Sequence, residues 1–265
     1  MKSKFKAFGY HLCISAAAVA MAMAVVYGFW YKAPFARAED VFQITLILAS
    51  VDVVMGPLLT FIVFNSQKKS LKFDLALIGV LQVAALVYGL SMVHKARPVY
   101  AVYTDGIFWT VTKDDYEPEE LGKVAKDSLY LGFRTWSPDY IGAVLQGNLD
   151  PADKHKIEIS QSMGGGLRLM PRFYASYTSV AAVAAHSGKR ASEVDFMTPP
   201  PARAGSPEAP PSKEELRAML GDLKALGPLE QLKLVPMNGS KHRAIVVLDD
   251  RSGNILGSLN YAPFW

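Results

Sequence analysis

The chain has 265 residues, and its net charge of +4 and 51% hydrophobic content hide a sharp asymmetry: almost all uninterrupted apolar sequence precedes His94, whereas 95–265 has the mixed charge, proline and glycine of a water-soluble domain. The basic residues are spread along the chain rather than gathered on a stripe with interleaved aromatics, which argues against nucleic acid as a partner. A single cysteine, Cys13, rules out an intramolecular disulfide, and five scattered histidines with no i, i+4 or HExxH spacing give neither a metal centre nor a cofactor site.

Three apolar segments come first: Phe8 to Tyr31, Val41 to Asn65, and Leu75 to His94. Each is about 20 residues or longer, which at 1.5 Å per residue matches the roughly 30 Å hydrocarbon layer of a bilayer. Lys2, Lys4 and Lys6 with Ala36-Arg37-Ala38 also fit a signal peptide, but the run exceeds the roughly 7 to 15 apolar residues of such a signal. That length and the cluster Phe29-Trp30-Tyr31, which suits a membrane interface, favour an uncleaved anchor. Lys68, Lys69 and Lys72 crowd the short loop after the second segment. The positive-inside rule therefore predicts a cytoplasmic N-terminus, an outer loop at Lys32 to Asp40, and an outer C-terminal domain. The expected division is a three-helix anchor over 1–96 in the lipid bilayer and a domain over 97–265.

The second segment carries the most unusual stretch, ILASVDVVMGPLLTFIVF from Ile47 to Phe64. An ionised carboxylate at the centre of a spanning helix costs about 2.5 to 3.5 kcal/mol on insertion scales, so Asp52 must face protein, protonate or find a donor. The second and third segments run in opposite directions, which puts Asp52 and Gln82 at a similar depth and makes Gln82 the expected donor. Gly56 permits close helix approach, and Pro57 removes a backbone hydrogen bond. Two uses of this turn are weighed: an internal lock between spans, or a docking point for a partner's transmembrane helix formed by Asp52, Gly56, Pro57 and Gln82. Proton transport would need more than one buried acid. Thr45, Ser50 and Thr60 are read as ordinary polar residues of membrane helices, and each histidine as an ordinary surface or interface residue.

Beyond Arg97, PVYAVYTDGIFWTVT predicts two strands joined at Asp105-Gly106. Helices are expected over Glu117 to Leu129, Asp150 to Met163 and Ser179 to His186, with the aromatics Phe173, Tyr174 and Tyr177 as core or as a partner surface. Thr198 to Ser212 is too proline-rich to fold alone and predicts an extended loop. Ser212 then caps an amphipathic helix, Lys213 to Leu226, and RAIVVLDD and NILGSLNYA close the chain as a hairpin. The expected fold is a membrane α-helical anchor of three transmembrane helices plus a small α+β domain with an antiparallel sheet. GGGLR at Gly164 lacks the lysine and Ser/Thr of a phosphate loop, Asp249-Asp250 sits beside a turn, and no nucleophile has an evident histidine partner. Catalysis has no positive support.

The blocks KAFGYHLCIS, VDVVMGPLLTFIVFNSQKKSLKFDLALIGVLQVAALVYGL and ARPVYAVY, with MPRFY and DDRSGNILG further on, resemble the type IV pilin accessory proteins of the Tfp X/Z type. The resemblance implies a bacterial inner-membrane protein that assists type IV pilus assembly, with a periplasmic outer domain, acting on the major pilin, with other inner-membrane pilus assembly components as further candidate partners. It sets Asp52, Gly56, Pro57, Lys68, Lys69, Lys72, Asp74, Arg97 and Pro98 at positions like the family's. A membrane-tethered sensor or binding module, and a pilin-modifying envelope enzyme, are the alternative readings.

Overall fold

The computed structural model describes residues 2–124, 128, 130, 136–145, 149–162, 166–199 and 210–260. The glycines at 164–165, most of the proline-rich loop and the final 261–265 lie outside the described residues. Two compact units emerge: Met1–Lys32 with Asp40–Arg97, and Ala33–Glu39 with Pro98–Trp265.

Helix α1 (Lys2–Val25) continues through a wider π turn at Val26–Trp30; the short α2 (Phe35–Ala38) belongs to the second unit. Helices α3 (Val41–Ser50) and α4 (Gly56–Val63) form one span through a second π turn at Val51–Met55, and α5 (Leu71–Lys95) is the third. The reason for the second π turn is local. Pro57 cannot donate to the carbonyl four residues back, and its ring would clash there, so the turn before it widens. Lys2–Trp30, Val41–Val63 and Leu71–Lys95 are each long and apolar enough to cross a membrane. The middle span packs against both others, while Ile47, Val80 and Tyr88 stay exposed, as lipid-facing side chains would.

The second unit is a sheet with helices against it. In chain order it runs β1 (Pro98–Thr104), β2 (Ile107–Thr112), α6 (Pro118–Gly122), β3 (Asp139–Ala143), α7 (Pro151–Ser162), β4 (Tyr174–Ser176), α8 (Ala181–Ser187), β5 (Lys189–Arg190), α9 (Lys213–Leu226), β6 (Leu232–Asn238), β7 (Arg243–Asp249) and β8 (Ile255–Leu259). The strand order is β4-β3-β1-β2-β6-β7-β8, with β5 beside β6. Asp105 (φ 53°) and Gly106 (φ 82°) both adopt the left-handed conformation that a tight two-residue hairpin demands, so β1 and β2 pair as the sequence predicts. Ser212 Oγ accepts from the Glu215 amide and the Glu215 carboxylate accepts from the Ser212 amide, a reciprocal cap that starts α9.

The antiparallel expectation needs correction, because β1 pairs with β3, and β2 with β6, in parallel. Alternating hydrophobicity specifies which face of a strand is buried but carries no information on its direction, which the long connections decide. The helix expected from Glu117 is a short one, ending at Gly122.

The stretch from Lys32 to Asp40, expected as a plain loop, supplies seven residues, 33–39, to the second unit, and two of them enter its core. Phe35 is 2% exposed and Ala38 fully buried among Ala101, Tyr103, Phe108, Val235, Met237 and Val246. The Phe35 ring meets Tyr140 at 5.7 Å. The Ala38 carbonyl accepts from the amides of Lys241 (3.1 Å) and His242 (3.0 Å), and the Glu39 carboxylate accepts from Thr110 Oγ1, the Ser240 amide and Ser240 Oγ. Gly239 passes so close that a Cβ there would lie 2.3 Å from the Ala38 carbonyl oxygen. On the other face of β7, Ile245 and Val247 pack against Leu216, Met219 and Leu223 of α9.

Candidate functional site

Within the first unit, polar side chains gather on the inner face of the middle span. Thr45, Asp52, Gly56 and Thr60 are all buried there, at spacings of seven, four and four that keep them on one helical face. Asp52 is 4% exposed, inside the π turn. Gln82 Nε2 donates to the Asp52 backbone carbonyl at 3.1 Å and reaches Ser15 Oγ at 3.5 Å. Gln82 thus serves Asp52 chiefly through its backbone; among the described residues, neither Asp52 carboxylate oxygen nor Gln82 Oε1, all buried, makes a hydrogen bond of good geometry. The glycine explains the approach. A Cβ at Gly56 would stand 1.8 Å from Gln82 Nε2, so any larger residue would evict the amide.

Two further bonds extend this seam in both directions. His11 Nδ1 meets Thr60 Oγ1 at 2.5 Å, and Tyr27 OH meets Thr45 Oγ1 at 2.7 Å. From the sequence His11, Thr45 and Thr60 look ordinary, and Tyr27 carries no mark of its own. Their signal was the shared face of Thr45, Asp52 and Thr60, together with the i, i+4 pair His11 and Ser15 on α1. Pro57 is buried beside them. In chemical terms the arrangement ties three spans into one body through part-buried hydrogen bonds.

Lys68 is paired with Asp74 at 2.5 Å, while Lys69, in the turn before α5, and Lys72, in its first turn, are exposed.

The aromatics Phe173, Tyr174 and Tyr177 occupy the second unit. Phe173 and Tyr174 are buried, and Tyr174 packs edge-on against Tyr100, Tyr116 and Tyr130 at 5.8 to 6.3 Å. Tyr116 OH meets Tyr174 OH at 2.8 Å, and Tyr174 OH donates to the Arg168 carbonyl. Tyr177 is half-buried, donating to the Gly253 carbonyl at 2.7 Å. Burial pushes Tyr100 up to about 12, with Asp139 and Tyr130 adding to it, and drives the Tyr174 phenol well above the ordinary value. These phenols are neutral packing groups.

Beside them lies a buried ionic knot. Glu120, 2% exposed, accepts from Lys123 and Lys156, each at 3.1 Å, with Arg172 Nε at 3.6 Å; Arg172 also holds Asp153 at 2.8 Å. Burial works to raise the pKa of Glu120, but hydrogen bonds from Lys156 and Lys123 and the Arg172 guanidinium outweigh it and leave the group below the ordinary glutamate value. Among the described residues no group of three His, Cys, Asp or Glu is arranged to hold a metal.

Three apolar spans knotted by part-buried hydrogen bonds and carrying a mixed-sheet domain define a membrane-anchored α+β protein. A family model described as "Fimbrial assembly protein FimB" matches residues 1–38. The chain is 32% identical over 118 residues to the fimbrial assembly protein of serogroups C1 and C2 of Dichelobacter nodosus, covering 44% of this chain and 90% of that relative. It is 32% identical over 118 residues to the serogroup I protein and 34% identical over 119 residues to the serogroup E1 protein of the same organism, in each case over 46% of the relative, so the match spans about half the length of those two. The chain belongs to the fimbrial assembly protein family. No solved structure matches it.

Proposed function

We propose that this protein is an inner-membrane accessory factor of type IV pilus assembly that binds the major pilin, holding its transmembrane stem against the spans and its head against the sheet domain. The reading is one of assembly by binding rather than catalysis. The observation that carries it is the family segment itself. Residues 1–38 contain both His11 and Ser15, which knot the anchor, and Phe35 and Ala38, which complete the core of the sheet domain.

The same segment supports the orientation. In this reading 33–39 and 98–260, which fold as one unit, share one side of the membrane, and the N-terminus and the turn after Val63 take the other. Lysines at that second end favour the cytoplasm for it, leaving the sheet domain periplasmic. The turn at Asp52 then acts on pilin indirectly, since the Gln82 bond to its backbone and the close approach at Gly56 fix the shape of the faces that meet it. The test is photo-crosslinking in cells, with probes at the exposed span positions Ile47 and Val80 and at Val183 on α8. Pilin adducts from both span and domain probes are expected. Adducts only to copies of this chain or to other machinery, with pilin present, would overturn the reading.

A further inference from the structure

We infer that the lysine-rich end of the first unit is a binding surface for anionic phospholipid headgroups. Lys2, Lys4 and Lys6 lie at the start of α1, and Lys68, Lys69 and Lys72 in the turn before α5 and its first residues. The fold brings the two groups together. Phe5 and Phe8 of α1 pack on Phe61 near the end of α4, with ring centroids 5.2 and 6.1 Å apart. Six lysines therefore share one end of the helices, together with the positive dipole ends of α1 and α5.

Almost nothing neutralises this charge. Residues 1–38 hold no acid, and between 53 and 95 the only one is Asp74, whose carboxylate is taken by Lys68 at 2.5 Å and lies 3.5 Å from Ser70 Oγ. Lys2, Lys6, Lys69 and Lys72 are exposed. The apolar neighbours select the partner. Phe5 and Phe73 are 58% and 69% exposed amid the lysines, which sets bare rings and cations at the depth where acyl chains meet phosphates; an acidic soluble surface would match the cations but not the rings. Lysine, a compact charge on a flexible stem, suits phosphates that arrive in no fixed geometry.

The experiment uses the full chain purified in mild detergent and needs no pilin, so its failure leaves the assembly reading standing. The protein is offered equal amounts of phosphatidylglycerol and phosphatidylcholine, and retained lipid is counted by native mass spectrometry at low and high salt. Retention of the anionic lipid by about tenfold or more over the zwitterionic one is expected, falling steeply with salt. Combined Lys2→Gln, Lys4→Gln, Lys6→Gln, Lys69→Gln and Lys72→Gln should abolish the preference, whereas arginine at the same positions should keep it. Equal retention of the two lipids by the unaltered chain would overturn the inference, as would a preference that salt does not weaken. Charge-dependent capture of an acidic protein with no lipid preference would assign the surface to that partner instead.

Discussion

Replacing Phe35 with alanine should destabilise the sheet domain through a residue that lies in the chain between two membrane spans. The ring is 2% exposed, faces Tyr140 at 5.7 Å, and sits among Tyr103, Phe108, Val235 and Met237 on one face of the sheet. Emptying such a site costs about 3 to 5 kcal/mol, from lost transfer energy plus the cavity left behind. For a domain of this size each kcal/mol lowers Tm by about 2 to 4 °C, so a fall of about 6 to 20 °C is expected. The assay is thermal unfolding of the full chain in detergent, followed by near-ultraviolet circular dichroism and by protease cleavage within 98–260. Phe35→Leu, which refills much of the volume, should recover most of the loss. If Phe35→Ala shifts the domain's transition by less than about 2 °C, the segment is a passive loop and the argument that it completes the core is wrong.

Gly239→Ala should weaken the same junction by about 1 to 3 kcal/mol, because its methyl meets the Ala38 backbone rather than a side chain that could swing away; the same melt reads it. In the anchor, Gln82→Leu should cost about 0.6 to 1.7 kcal/mol in helix association, measured by unfolding in mixed micelles, and Gly56→Ala should mimic it by displacing the Gln82 amide. Asp52→Asn should leave anchor stability equal or higher, since the Gln82 bond falls on the Asp52 backbone; a marked loss would mean the carboxylate has a partner. Glu120 gives a pH signature. Its folded pKa is depressed, so its contribution is complete above the ordinary glutamate value of 4.5 and is lost as pH falls through the lower folded value. Glu120→Gln should cost about 1 to 3 kcal/mol at neutral pH and flatten the acid limb of a stability profile, so that an unchanged limb would place the acid sensitivity elsewhere.

Much of the fold is legible locally. The spans announce themselves by length and apolarity, the β1-β2 turn by Asp105-Gly106, and α9 by Ser212 with Glu215 three residues on, because each depends on residues close in sequence. Aromatic content alone, by contrast, could not assign Phe173 and Tyr174 to a surface or a core. Their burial depends on Tyr100 and Tyr116, which arrive from elsewhere in the chain.

The sequence by itself determined that three helices could enter a bilayer, that a carboxylate would stand inside the second, and that Gln82 would lie near it in depth. Only the tertiary structure decided that Gln82 grips the backbone of Asp52 while Gly56 makes room, that the sheet is mixed, and that 33–39 belongs to a core formed mostly by residues beyond Pro98. The physical reason is common to all three. Hydropathy and turn chemistry act between neighbours along the chain, whereas hydrogen-bond partners, strand direction and the filling of a cavity are settled by groups that meet only once the chain has folded.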